Sequence, residues 1–305
     1  MTAGPDAAAQ ARANLRAYML LSFTALCWGG NAVFGRMAVG EISPMALVTA
    51  RWLGVSLLLA LFSRQHIRRD WPVLRPHLFA VAMLGILGFT SFNALFYVAA
   101  HFTTAVNIGI LQGSIPMFIL VGALLAYRTR ITGVQVAGVL VTMIGVIIVG
   151  SGGSLERLAA LAINFGDILM IGACLLYSGY TVALRKRPAV SALGLFAVMA
   201  FAAFVASLPL LYAEFSFGRF QWPTVTGWII VALVTLFPSL VAQVFFIQGV
   251  ALIGPGRAGI FVNLVPVFAS ILAVLLLGEP FEPYQAAALT LVLGGIWLSE
   301  RGKAA

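Results

Sequence analysis

Long apolar runs separated by short polar breaks dominate this chain, and each run is close to the length of a membrane-crossing helix. Ten such runs occupy residues 17–36, 45–63, 77–99, 104–127, 132–150, 165–184, 190–212, 226–249, 256–277 and 283–299. A spanning helix needs about 20 consecutive apolar residues, so each run predicts one crossing. The links are short, which makes consecutive helices antiparallel. Only 1–14, 64–76, 151–164 and 213–225 leave room for more, and none could hold a soluble domain. The apolar run that begins at Tyr18 lacks a small-x-small cleavage site and reads as a retained first helix.

The pattern repeats. Shifted by 150 positions, Phe96 meets Phe246, Ile110 meets Ile260, Pro116 meets Pro266, Gln135 meets Gln285 and Gly145 meets Gly295. No gap is needed over some sixty residues. Apolar matches between membrane helices are cheap, but a proline and a glutamine in one register are not. Residues 1–152 therefore form a first unit of five spans and 153–305 a second. Five is odd, so the second unit enters the membrane upside down relative to the first. The expected fold is an all-α polytopic membrane protein with ten transmembrane helices in two inverted five-helix repeats. Inverted repeats are characteristic of secondary transporters, whose site lies near the midplane between the halves. A pore or a structural bundle with no alternation is the competing reading.

Composition agrees and removes other classes. Of 305 residues 62% are hydrophobic and 9% charged, against roughly 45–50% and 25% in soluble domains. That excludes a soluble enzyme, a nucleic-acid-binding domain and a disordered chain. The net charge of +9 reports orientation rather than nucleic acid. Fourteen of the 18 basic residues fall on one side: Arg12 and Arg16, Arg64 to Arg75, Arg128 and Arg130, Arg185 to Arg187, Arg257, Arg301 and Lys303. Arg36, Arg157 and Arg219 lie opposite. By the positive-inside rule both termini are cytoplasmic, which an even number of crossings requires and which suits an inner (plasma) membrane. Cys27 and Cys174 lie alone inside apolar runs, so no metal site or disulfide is expected. No Walker loop, G-x-S-x-G or His-Glu-x-x-His motif is present. Neither an intrinsic ATP motor nor an enzyme is expected, and no cofactor or ATPase subunit is implied. The partners implied are the lipid bilayer and a small-molecule substrate.

Several motifs carry a resemblance. Trp28-Gly29-Gly30-Asn31 lies in the first span, Gly166-Asp167 opens the sixth, Pro116 and Pro266 lie inside the fourth and ninth, and Leu277-Gly278-Glu279-Pro280 closes the ninth. With these the chain resembles the drug/metabolite transporter superfamily, specifically its ten-helix EamA-type permeases, over residues 15–300. The resemblance implies two five-helix halves around a central cavity, and commonly export of amino acids or other small metabolites. One departure stands out: the first half reads Arg128-Thr129-Arg130 where the second has Gly278-Glu279-Pro280.

Polar side chains deep in lipid are costly and rare, so the few present are the candidates for a site. Asn31 follows Trp28 by three residues, on nearly the same helix face. Asn93 and Tyr97 are four apart on the third span, as are Gln112 and Pro116 on the fourth. Tyr177 and Tyr180 on the sixth span, Gln243 on the eighth and Asn263 on the ninth take the matching places. These residues, with Trp28, form the expected substrate site, although an Asn or Gln can equally be glue between helices. Pro116 and Pro266 are candidate hinges. Arg51 is a full charge well inside a span: it either snorkels to the outer surface or meets a substrate carboxylate and gates the path. No acid lies near the midplane of any proposed span, so no strong proton relay is expected.

Overall fold

A computed structural model describes residues 5–128, 131–156, 164–253, 258 and 261–301. Arg130, Arg157, Arg257, Ile260, Lys303 and the start of the ninth predicted span lie outside the described residues. The first half comprises α1 (Pro5–Met37), α2 (Pro44–Phe62), α3 (Arg64–Leu74), α4 (Leu78–Gly85), α5 (Phe92–Ala99), α6 (Ala105–Gln112), α7 (Ile115–Tyr127) and α8 (Gly133–Gly150). The second comprises α9 (Phe165–Ala183), α10 (Ala192–Ser216), α11 (Val225–Val234), α12 (Ala242–Ile253), α13 (Val265–Leu277) and α14 (Pro283–Arg301). Among the described residues there is no strand. Among those residues eight helical stretches are long and apolar enough to cross a bilayer; Val265–Leu277 is a shorter apolar helix. The 19-residue α14 lies along α8.

Polar residues at the breaks set the helix starts. Thr104, Thr132, Asn164, Ser191 and Thr224 each accept a hydrogen bond from a backbone N–H of the first turn, which satisfies donors the helix itself cannot. Gln135 completes a capping box with Thr132. The predicted loop 64–76 is instead mostly the helix α3, with Asp70 and Leu74 buried and Arg64, Arg68 and Arg69 exposed. A search for apolar runs passes over such an amphipathic segment. Asp70 accepts hydrogen bonds from Ser191 N (2.9 Å) and Ser191 Oγ, tying α3 to the start of α10.

Equivalent helices of the two halves run antiparallel. Glu214, near the end of α10, accepts from Met45 N and Ala46 N at the start of α2 (3.1 and 3.3 Å). Glu279, just past α13, accepts from Ala105 N and Val106 N at the start of α6 (2.9 and 3.0 Å). Along α8 and α14, a Cβ on Gly138 would lie 2.5 Å from the Gly295 carbonyl oxygen, and one on Gly145 would lie 2.9 Å from that of Ala288. Packing is also exchanged between halves: α1 lies on α12 and α13, while α9 lies on α5 and on α6 with α7. That reciprocity is the mark of two copies related by a two-fold axis. The fold is therefore an all-helical polytopic bundle of two inverted halves.

Irregularities repeat with the same spacing. A π-helical segment at Ile86–Ser91 separates α4 from α5, and another at Thr235–Val241 separates α11 from α12. The chain breaks between α6 and α7 at residues 113 and 114, and before α13 at 263 and 264. Pro116 and Pro266 sit in the first turns of α7 and α13, where a missing N–H costs nothing. They start new helices rather than kinking continuous ones.

Candidate functional site

The irregular segments converge on one cavity. Its main chamber, about 590 Å³, is walled by α7, α8, α9, α10, α12 and α14 and includes Trp28, Pro116, Tyr177, Tyr180, Gln243 and Asn263. Its far end carries Arg187, Ala192 and Ser299, so it opens on the face where α9 ends and α10 begins. A deep chamber of about 110 Å³ continues inward, lined by Asn31, Arg51, Trp52, Phe89, Asn93, Gln112 and Ser239 among others. Trp28, Ile115, Tyr177, Phe196, Gln243 and Val262 line both. Among the described residues no Asp or Glu lines either chamber.

Trp28, Tyr177, Gln243, Asn31, Asn93, Gln112, Asn263, Pro116 and Tyr180 thus share one connected space. The Trp28 indole donates to the Pro238 carbonyl (3.1 Å), a carbonyl of the π-helical segment, and lies 5.3 Å from the Phe246 ring. Tyr177 packs on Phe92 and Tyr180 (5.2 and 5.3 Å between centroids). Gln112 donates within its own helix to Ile108 O (3.5 Å). Pro266 is buried, close enough to Gly113 that a Cβ there would meet its ring at 3.1 Å; it supports the break without lining the cavity. Tyr97 is also buried away from the chambers, reaching them through its hydroxyl's partners.

Those partners meet at Arg51, seven residues into α2 and so about 10 Å along it. Snorkelling is not what the side chain does: it is 5% exposed. Nε donates to Ser239 Oγ (2.7 Å), and Nη1 to Asn31 Oδ1 and Asn93 Oδ1 (2.9 Å each) and to the Tyr97 hydroxyl. Tyr97 in turn donates to Asn31 Oδ1 (3.1 Å). Asn93 is oriented by its own bond to Phe89 O (2.7 Å), and Ser239 by one to Val234 O (2.6 Å). The guanidinium carbon lies 5.4 Å from the Trp52 ring centre and 5.9 Å from that of Tyr97. An isolated ion in this environment costs several kcal/mol; neutral dipoles and π faces offset part of that. The cluster joins α1, α2, α5 and the second π-helical segment, and it floors the cavity.

Trp52, Ser239 and Phe89 escaped the sequence reading, and Arg187, read there only as part of a cytoplasmic basic stretch, lines the cavity mouth. Phe89 stacks on Trp52 at 4.6 Å with planes 9° apart. Nothing local marks Ser239; only proximity to Arg51 gives it a role. Asp167, which opens the sixth predicted span, is fully buried in the first turn of α9. It accepts from Thr103 Oγ1 (2.6 Å) and Asn107 Nδ2 (3.5 Å), while Gln285 donates to Asn107 Oδ1 (2.8 Å). This network borders a separate 400 Å³ vestibule on the opposite face, with Arg36 and His101 at its wall. Burial and the nearby Arg36 guanidinium hold His101 below the usual imidazole range, against a smaller pull from Glu214. That face is closed above the main cavity by the two carboxylate clamps of Glu214 and Glu279, and by Thr224 and Gln221 donating to Glu41 and to Gly40 O.

A cavity at paired helix breaks, between inverted halves and open to one face, defines a multi-pass membrane protein of transporter architecture. The sequence pattern of the EamA-like transporter family matches residues 15–151 and again 164–301. The chain belongs to that family. It is 28% identical to the uncharacterized transporter YetK of Bacillus subtilis (strain 168), over 93% of this chain and 86% of that one. To YyaM of the same strain it is 26% identical, over 93% of each. To the uncharacterized inner membrane transporter YedA of Escherichia coli (strain K12) it is 26% identical, over 91% of this chain and 88% of that one. A solved crystal structure superposes with a TM-score of 0.60 at 20% identity, covering 94% of this chain and 96% of that one; it shares the fold.

Proposed function

We propose that this protein is a secondary transporter that exports small organic metabolites, amino acids among them, across the inner membrane by alternating access. The observation that carries the reading is the cavity: it is large enough for a metabolite, sits between inverted halves at their broken helices, and opens on one face only. Discontinuous helices near the midplane are where such carriers bind. Residues 1–152 and 153–305 then act as two units that exchange roles. The open face carries Arg128, Arg185, Lys186 and Arg187, so it faces the cytoplasm, both termini lie there, and the conformation is loaded from inside. No ATPase subunit takes part. In this reading Trp28, Asn31, Asn93, Tyr97, Gln112, Tyr177, Tyr180, Gln243 and Asn263 meet or frame the solute, Arg51 holds the floor shut, and Pro116 and Pro266 mark the hinges.

Counterflow in proteoliposomes tests it. Purified protein is reconstituted with phenylalanine on the far side, and uptake of labelled phenylalanine is followed. A carrier accelerates when preloaded, whereas a pore or a structural bundle shows no acceleration. Alanine at Asn31, Asn93, Gln112, Tyr180, Gln243 or Asn263 should lower the rate more than it lowers protein abundance; unchanged flux in all six would remove the site.

A further inference from the structure

Arg51 is bonded on only part of its guanidinium. Nε and Nη1 are engaged by four neutral oxygens, while Nη2 donates to nothing among the described residues. The next residue repeats the situation. The Trp52 indole nitrogen is buried and has no hydrogen-bond partner among the described residues, and Trp52 is 3% exposed. Both residues line the deep chamber. A buried cation without a counter-ion and a buried indole N–H without an acceptor are each costly, and both are donors. An oxyanion with two oxygens suits both, one oxygen taking a charge-assisted bond from the free Nη2 and the other accepting from the indole N–H.

The rest of the cavity specifies what should be attached to that oxyanion. Trp28, Ile115, Tyr177, Phe196 and Phe246 make the walls between the floor and the mouth apolar and aromatic. Arg187 stands at the mouth, so the positive charge at both ends draws anions in. No carboxylate lines either chamber among the described residues, so nothing there forms an ion pair with an ammonium group. We propose that the cavity binds organic carboxylates, the acid group on Arg51 and Trp52 and an apolar or aromatic body in the main chamber, with no requirement for an α-amino group. The inference narrows the transport reading above and rests on this cavity being the solute path. It also gives the floor a function: a bound carboxylate competes with Asn31, Asn93, Tyr97 and Ser239 for the cation that holds α1, α2, α5 and the second π-helical segment together.

The test compares four probes of one shape on the full chain in detergent: 3-phenylpropionate, phenylalanine, 3-phenylpropionamide and phenethylamine. Binding is read from intrinsic tryptophan fluorescence, to which Trp28 and Trp52 contribute, and from the rise in Tm that a ligand of the folded state produces. The acid should bind at least about tenfold more tightly than the amide or the amine, as expected when a buried charge loses its partner, and phenylalanine should not exceed it. Arg51→Gln should weaken the acid at least about tenfold and leave the amide unchanged, with Arg51→Lys between. Should the glutamine variant fail to fold, Asn93→Asp places an internal carboxylate against the guanidinium and should exclude the acid while keeping or raising the unliganded Tm. Equal binding of acid and amide by the unaltered protein, undiminished acid binding by Asn93→Asp, or no binding of the acid at all overturns the proposal. Counterflow of the amide or the amine would do so too while leaving the transport reading standing; absence of counterflow with acid binding intact would remove transport and keep the site.

Discussion

Arg51 shows what a single side chain reveals only in three dimensions. Its charge inside an apolar run is plain from the sequence, and so is the need for partners. Which partners could not be read, because Asn31, Asn93, Tyr97 and Ser239 come from three segments up to 188 residues away. Asn31 accepts from both Arg51 and Tyr97, so Asn31→Ala leaves two buried donors short of an acceptor. A loss of about 1–3 kcal/mol is expected, seen as a lower Tm, with Asn31→Asp better tolerated because it restores the acceptor. Arg128 offers a change in the other direction. It ends α7 in the left-handed region at φ 51, as Gly278 ends α13 at φ 65. Glycine adopts that conformation without strain; relief of about 1–2 kcal/mol, less about 0.5–1 kcal/mol for the entropy a glycine loses on folding, means that Arg128→Gly should raise stability in chemical denaturation.

At the level of elements, much of the architecture was legible because lipid leaves so few options. Apolar runs of the right length marked where most helices lie, although α1 starts twelve residues before the first predicted span and eight helical stretches among the described residues, rather than ten, are long and apolar enough to cross; Pro116 and Pro266 pointed to the breaks that open α7 and α13. The π-helical segments were half visible. Pro238 lacks the N–H that a regular ladder needs, but its counterpart in the first half is Gly88, which carries no such sign. There the reason is contact: a Cβ at position 88 would lie 2.4 Å from the Tyr180 ring. Gly88→Ala should therefore displace Tyr180 from the cavity wall and lower both Tm and transport. The α8–α14 seam was hidden for a similar reason, since backbone approach between two glycines leaves no apolar signature. Gly138→Val places bulk against the Gly295 carbonyl, and a drop in folded yield on size-exclusion chromatography is the expected result.

For the whole molecule the repeat decided most, and it was found by register rather than by similarity of composition. The sealed and open faces were not in the sequence at all, because each half could in principle close on either side. Cysteine labelling separates the faces. With Cys27 and Cys174 replaced by Ala, Ser299→Cys at the mouth and Val139→Cys in the wall should react with an impermeant maleimide from the same side of the membrane. Thr104→Cys, beside the vestibule, should react from the other side. Labelling of all three from one side would refute the arrangement of chambers described above.

The clamp at Glu279 has a consequence for energetics at rest. Its carboxylate fastens the start of α6 on the sealed face, whereas the first half has Thr129 at the corresponding place in its sequence and no acid nearby. Under the alternating-access reading proposed above, two halves that swap postures would exchange their surroundings but not their side chains, so the two postures would differ in free energy. On that reading the idle molecule is expected to lean toward the posture in which Glu279 is engaged, waiting on the arginine-rich side, and a solute that turned it over would supply that difference by binding the other posture more tightly.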